Sequence, residues 1–223
     1  IAILDTETGG LSPATDPLLE IGVALFSVEH RAVIYARSWL LHAESNAAQS
    51  VNGISPPLMA AHGITRVRAV EAVRDVLDAA HVEVLAAHRA EFDRSFLPEL
   101  ANEPWLCTKF DVEWPGVPLG ASLNETSLAL LGYATRGHRA LADCLTLARC
   151  FERAAELTDL DAMLARAMRP KVLVEVADKS FDAERNALAK KYGFAWSPDA
   201  RAWRRRVAIE DAEQLPFRVI EVT

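Results

Sequence analysis

The 223 residues are long enough for one well-buried domain and a small companion. About half are hydrophobic (51%), but no apolar run reaches the roughly 18 residues of a membrane helix, and no secretory signal is visible. The net charge of −7 does not advertise nucleic-acid binding, which usually needs basic residues for phosphate contact. A site holding divalent metals is the exception, because clustered carboxylates are then the ligands. The charge is also uneven: residues 1–168 hold 13 Lys/Arg against 22 Asp/Glu, and residues 169–223 hold 11 against 9. Cys107, Cys144 and Cys150 form an odd set without CxxC spacing. This argues against a disulfide framework or a zinc site and fits buried packing in a reducing cytoplasm.

In chain order, residues 1–5 read as a buried strand, and 20–28 and 32–41 as two more joined in a hairpin around Glu29, His30 and Arg31. Ser55-Pro56-Pro57 starts a short helix, with Ser as cap and Pro in the first turn. Apolar residues at 70, 73, 76 and 77 predict a helix over 67–80. A strand over 82–87, a helix over 91–101 and a short strand over 105–110 follow. Ser122 and Glu125 have capping-box spacing and Gly132 supplies a stop, which predicts a helix over 123–131. The strongest helix pattern covers 139–157, and Thr158 with Asp161 marks another capped start before Arg169-Pro170. Three strands followed by alternating helix and strand give an α/β class, with a mixed central sheet flanked by helices. After Pro170 the pattern restarts as strand, helix, hairpin, short helix and strand. This predicts a larger domain over 1–169 and a small α+β domain over 170–223.

Asp5 and Glu7 lie at i and i+2 of the first strand, so both carboxylates project from one face while Thr6 points away. Adjacent acids repel unless neutralised, and Mg²⁺ or Mn²⁺, which prefer oxygen ligands, are the obvious candidates. A strand running into a polar turn at Gly9-Gly10 would look the same. Asp93 falls early in a helix, where an acid also complements the helix dipole. His138 and Asp143 would sit about 140° apart on one helix. They face one site only if Gly137 breaks the chain, leaving His138 in the loop and Asp143 in the helix.

The order DTE near the start, FD in the middle and H-x4-D opening a long helix resembles the DEDD exonucleases, the family that includes polymerase proofreading subunits. The match is to the histidine subclass and its exonuclease X branch. It extends to Ile54-Ser55-Pro56, to residues 61–65, to residues 87–94, to Trp105-Leu106-Cys107-Thr108 and Trp114-Pro115-Gly116, and to residues 138–144, over roughly residues 1–155. The resemblance implies a ribonuclease H-like fold. It also implies two Mg²⁺ or Mn²⁺ ions held by Asp5, Glu7, Asp93 and Asp143, with His138 as general base. The implied substrate is nucleic acid, DNA 3′ ends favoured and RNA possible, with a nucleoside 5′-monophosphate as product. Thr6, Thr8, Gly10, Leu11, His88, Arg89 and Phe92 are implied as substrate-binding positions. The family usually has Asn at the place of Arg89, where an Arg either contacts a phosphate or perturbs the acidic site. An exoribonuclease of the same chemistry and a catalytically weak, polymerase-associated binding module are the rival readings. Nothing in the pattern implies a membrane or names a protein partner.

In the second domain, Lys190, Lys191, Arg201, Arg204, Arg205 and Arg206 lie near Trp196 and Trp203. Basic residues interleaved with aromatics suit a surface that tracks a nucleic-acid strand, and equally a solvated basic edge over a Trp-based mini-core.

Overall fold

The computed structural model describes residues 1–135, 137–178 and 182–222. Strands β1 (Ala2–Thr8), β2 (Leu18–Ser27) and β3 (Ala32–Leu40) form an antiparallel meander. Strands β4 (Leu85–Ala87) and β5 (Trp105–Cys107) then add in parallel beside β1, giving the order β3-β2-β1-β4-β5. This is the mixed sheet expected, with β1 in its centre. Its burial on both sides fits the near-continuous apolar character of β1 and β2.

Helices cover both faces. Helix α1 (Gln49–Asn52), which the sequence pattern did not announce, precedes α2 (Pro56–His62) and α3 (Arg66–Ala79). Val70, Val73 and Leu77 of α3 pack with Leu4, Ile21 and Val23 on one face of the sheet. On the other face, Ile3, Ala24 and Phe26 meet Cys144, Leu147 and Phe151 of the long helix α6 (Ala140–Leu157). Helix α5 (Leu123–Leu131) carries both halves of the capping box at Ser122 and Glu125 and ends on left-handed Gly132. The predicted helix over 91–101 is shorter: α4 is Ala90–Phe96, and Pro98 restarts the chain as a 3-10 turn over Pro98–Leu100. A proline has no N–H to continue the helical ladder, and it disfavours helical geometry in the residue before it. Helix α7 (Leu160–Ala167) is capped by Asp159, whose side chain accepts from the Ala162 N–H, rather than by Thr158.

The remaining chain forms a second sheet, wholly antiparallel, in the order β7-β8-β6-β9. Its strands are β6 (Lys171–Val176), β7 (Ala195–Ser197), β8 (Ala202–Ala208) and β9 (Val219–Glu221). Helix α8 (Ala183–Lys191), capped by Asp182, follows β6, and the short α9 (Ile209–Ala212) follows β8. Val174, Val176, Ala189, Phe194 and Val207 form a small core of their own, with Trp203 and Phe217 packed against it. Among the described residues no helix is long and apolar enough to cross a membrane.

The two sheets meet through the turn after β5. Asp111 receives Lys171 Nζ at 2.5 Å and Arg205 Nη2 at 3.3 Å, while Arg205 also donates to the carbonyls of Phe110 (2.7 Å) and Tyr192 (2.9 Å). The Phe110 ring lies so close to Gly193 that a Cβ there would sit 2.8 Å from it, and Gly193 has φ +79°. Glycine meets both demands.

Candidate active site

The site is built where three pieces of chain converge on the end of β1. Asp5 and Glu7 share a face of that strand, opposite Gly22 and Glu20 of β2. Asp93 sits in the first turn of α4, which β4 delivers alongside β1. Asp143 sits in the first turn of α6. Gly22 makes the third approach possible. A Cβ on it would lie 2.5 Å from the Ala140 carbonyl carbon and 2.7 Å from the Leu141 nitrogen, so the start of α6 presses directly on β2.

His138 lies in the loop before α6 and Asp143 within the helix, the break that their spacing demanded. The loop turns at His138 itself, where φ is +73°, and the His138 N–H donates to Asp143 Oδ2 at 2.8 Å. Gly137 leaves room for this turn, since a Cβ there would be 3.1 Å from Asp143 Oδ1. Glu7, His138 and Asp143 each offer a ligand atom within 4.8 Å of the other two.

The electrostatics are those of acids buried together, with Arg139 and Arg89 opposing their repulsion only in part. Burial, then the charges of Asp93, Asp143 and Glu7, push the Asp5 carboxyl well above the usual range. Burial and the charge of Asp143 push Glu7 up to about 8. Burial raises Asp93 to about 7, against two opposing hydrogen bonds from Thr6. Asp143 is likewise raised, mainly by burial. Asp143 Oδ1 is a buried oxygen with no hydrogen-bond partner among the described residues. An unsatisfied buried acceptor beside three further acids is costly as a structural feature, and its chemistry is that of a hard-cation ligand. The donor set fits Mg²⁺ or Mn²⁺: carboxylate oxygens with one imidazole at the rim.

Several side chains implied as substrate contacts have other work. Thr6 gives Asp93 Oδ1 both its backbone N–H (3.0 Å) and its hydroxyl (2.8 Å), which fixes that carboxylate. His88 is tied on both ring nitrogens, Nδ1 to Thr108 Oγ1 (3.1 Å) and Nε2 to the Ala121 carbonyl (3.0 Å), and burial lowers its pKa to about 4. It latches the turn after β4 to the segment that follows β5 and to the one that precedes α5. Thr8 donates its hydroxyl to the Gly10 carbonyl at 2.6 Å, and a Cβ on Gly10 would collide with the Asp16 carboxylate, so both shape the loop after β1. Leu11, in contrast, projects from that loop and is 81% exposed. Arg89 stands over the Phe92 ring at 5.8 Å on the rim of α4, both accessible.

Two contributors were not singled out in the sequence. Glu20 is 1% exposed and accepts from Arg139 Nε (3.0 Å) and Nη2 (3.0 Å), from the Ala140 N–H (3.1 Å) and from the Ser38 hydroxyl (2.9 Å). It clamps the residues between His138 and Asp143 to the sheet. Its partner Arg139 adjoins His138 in the H-x4-D motif, but the 119-residue separation hides the pair. Gly22 is the second, and its signal was a lone glycine inside an apolar strand, which marks close backbone approach.

Comparisons with known proteins agree with this architecture. The chain is 30% identical over 152 residues to exodeoxyribonuclease 10 of Escherichia coli K12, an alignment covering 65% of this chain. The chain spans 63% of the length of that curated relative. Its backbone matches exonuclease X in complex with 5′ overhanging duplex DNA (TM-score 0.51, 23% identity, 74% of this chain and 98% of the other). It also matches the nuclease domain of 3′hExo, a DEDDh family member bound to rAMP (TM-score 0.57, 20% identity, 70% and 90%). The chain has the fold of the DEDDh exonucleases. Within that fold, Asp5, Glu7, Asp93, His138 and Asp143 occupy one end of the central strand. A match covering 99% of this chain is to Escherichia coli exonuclease I in complex with a 5cy-dT13 oligonucleotide (TM-score 0.59, 15% identity, 62% of the other). Residues 178–222 match a family model described as a domain of unknown function (DUF8626).

Proposed function

We propose that this chain is a metal-dependent 3′→5′ exonuclease that removes nucleoside 5′-monophosphates from DNA 3′ ends. The observation that carries this reading is the convergence of four buried or half-buried carboxylates and one exposed imidazole on a DEDDh exonuclease scaffold, with Asp143 Oδ1 left without a partner among the described residues. In this reading Asp5, Glu7, Asp93 and Asp143 hold two Mg²⁺ or Mn²⁺ ions. Such ions supply charge neutralisation at the scissile phosphate, a more acidic water and a stabilised leaving oxygen. His138, exposed at the rim, takes the proton from the attacking water, a role that suits an imidazole at neutral pH. The water oxygen bonds to phosphorus, the P–O3′ bond breaks, and the 3′ oxygen of the shortened strand leaves with a solvent proton. Thr6 and the Glu20–Arg139 clamp are positioning residues for Asp93 and for the His138–Asp143 loop. Leu11, Arg89 and Phe92 are the accessible rim residues placed to meet the terminal nucleotides.

DNA is favoured over RNA because the 30% identical relative is an exodeoxyribonuclease. The three cysteines are unpaired, which supports a reducing compartment such as the cytoplasm. Residues 170–223 are read as an accessory domain. The reading is tested by incubating the protein with DNA and RNA oligonucleotides in Mg²⁺, Mn²⁺ or EDTA and identifying products by chromatography. It predicts nucleoside 5′-monophosphates from DNA, with metal only. Nucleoside 3′-monophosphates, or unchanged release in EDTA, would contradict it.

A further inference from the structure

Between α4 and the second sheet lies an open cleft of about 880 Å³, at the upper end of the volume that encloses a drug-sized ligand. Its lining includes eight cationic side chains and one acid, Glu91, in a protein whose net charge is −7. Not all eight are available. Arg204 is spent on Glu175, and Arg205 on Asp111 and two carbonyls, so they hold the walls together. Arg89, Lys109, Lys190, Lys191 and Arg206 make no ion pair with a carboxylate among the described residues, and four of these five are exposed. Aromatic rings stand among them. Lys190 lies over Trp203 at 5.5 Å, Lys109 over Phe110 at 5.7 Å and Arg89 over Phe92 at 5.8 Å, while Trp196 meets Trp203 edge-on at 5.6 Å and stays accessible. The cleft reaches α4 beside the site: Arg89 and Phe92 line it, and Asp93 follows Phe92 in the same helix with its side chain buried.

We propose that this cleft binds the unpaired nucleic-acid strand that leads away from the catalytic end, with phosphates on the unpaired lysines and arginines and bases against the aromatic faces. Unpaired cations alone would fit any polyanion. Their alternation with rings is what suits a single strand, because every base has a face to stack and every linkage a charge. The strand bridges the two sheets, so the docking of the second sheet through Phe110, Asp111 and Arg205 shapes a binding surface. The inference rests on the nuclease reading above but is tested without hydrolysis.

The experiment uses the full chain in EDTA and 5′-fluorescein-labelled dT20, rU20 and dT4, with fluorescence anisotropy read across a salt series. The variant K190Q/K191Q/R206Q changes only exposed side chains, and its circular dichroism and melting temperature are to match the parent. Each phosphate contact contributes about 0.7 to the salt slope on single strands, so losing three flattens it by about 2. At ~0.1 M salt this weakens dT20 and rU20 binding on the order of tenfold to a hundredfold, with dT4 changed little. Trp196→Ala should weaken binding of the long strands with the slope unchanged, because stacking releases no counterions. Unchanged affinity and slope in the triple variant would overturn the proposal and leave the cleft to an acidic protein partner. Because binding is measured without metal, its failure is distinct from a failure to hydrolyse.

Discussion

At the residue scale, the four acids store repulsion in the metal-free protein. Asp93 and Glu7 have carboxyls pushed to about 7 and about 8, above the usual range near 4. Below the unfolded value both states are protonated and nothing is lost. As pH rises through about 4 to 8 the unfolded chain ionises first, so the fold is progressively destabilised. The metal-free protein is therefore expected to melt at a higher temperature at pH 5 than at pH 8, and Mn²⁺ should reverse the trend. Asp5→Asn should raise the melting temperature in EDTA at pH 8 while lowering turnover by several orders of magnitude. Scanning calorimetry with and without EDTA reads both, and a melting temperature that climbs from pH 5 to 8 in EDTA would refute the repulsion. His138→Ala should lower kcat about 10²–10⁴-fold with little change in KM. An unchanged kcat would take the proton transfer away from His138.

At the element scale, the position of α6 decides whether Asp143 meets β1. Gly22→Ala places a methyl against the Ala140 carbonyl and must push α6 off the sheet. Overpacking of this kind costs about 1–3 kcal/mol, and a displacement near 1 Å costs about 10²-fold in rate. The expected outcome is a modest fall in melting temperature with a disproportionate loss of kcat, and equal losses would make Gly22 merely structural. This contact also shows what the sequence could and could not reveal. The i, i+2 acids on β1 and the loop-then-helix arrangement of His138 and Asp143 were legible, because strand alternation and the helical period act locally. The Glu20–Arg139 clamp was not, because its partners are 119 residues apart. His88 and Thr6 sit beside the candidate site residues, and both side chains are hydrogen-bonded within the protein. Motif proximity alone does not reveal these bonds.

At the scale of the whole molecule, the basic run of β8 carries a similar correction. In the sequence, Arg204, Arg205 and Arg206 read as one basic edge beside Trp196 and Trp203. Strand neighbours alternate, however, and the three have separate fates: Arg204 pairs with Glu175, Arg205 bolts the second sheet to Phe110 and Asp111, and Arg206 is exposed. Reversing all three would undo the docking and the second sheet together. Gly193→Ala attacks the docking from the other side, through its positive φ and the Phe110 ring. It should loosen the second unit while leaving the first core intact. Limited proteolysis between α7 and β6 should accelerate several-fold with cleavage of short oligonucleotides retained, and unchanged proteolysis would show that the Phe110 contact does not hold the units together.

The most direct test of the central claim is denaturing electrophoresis of a 5′-labelled 20-nucleotide DNA strand incubated with the protein in Mg²⁺, beside EDTA and Asp143→Asn controls. The strand should shorten one nucleotide at a time from the 3′ end, and neither control should show this ladder. Release of the 5′ label as a mononucleotide, internal cuts, or an equal ladder from Asp143→Asn would contradict it.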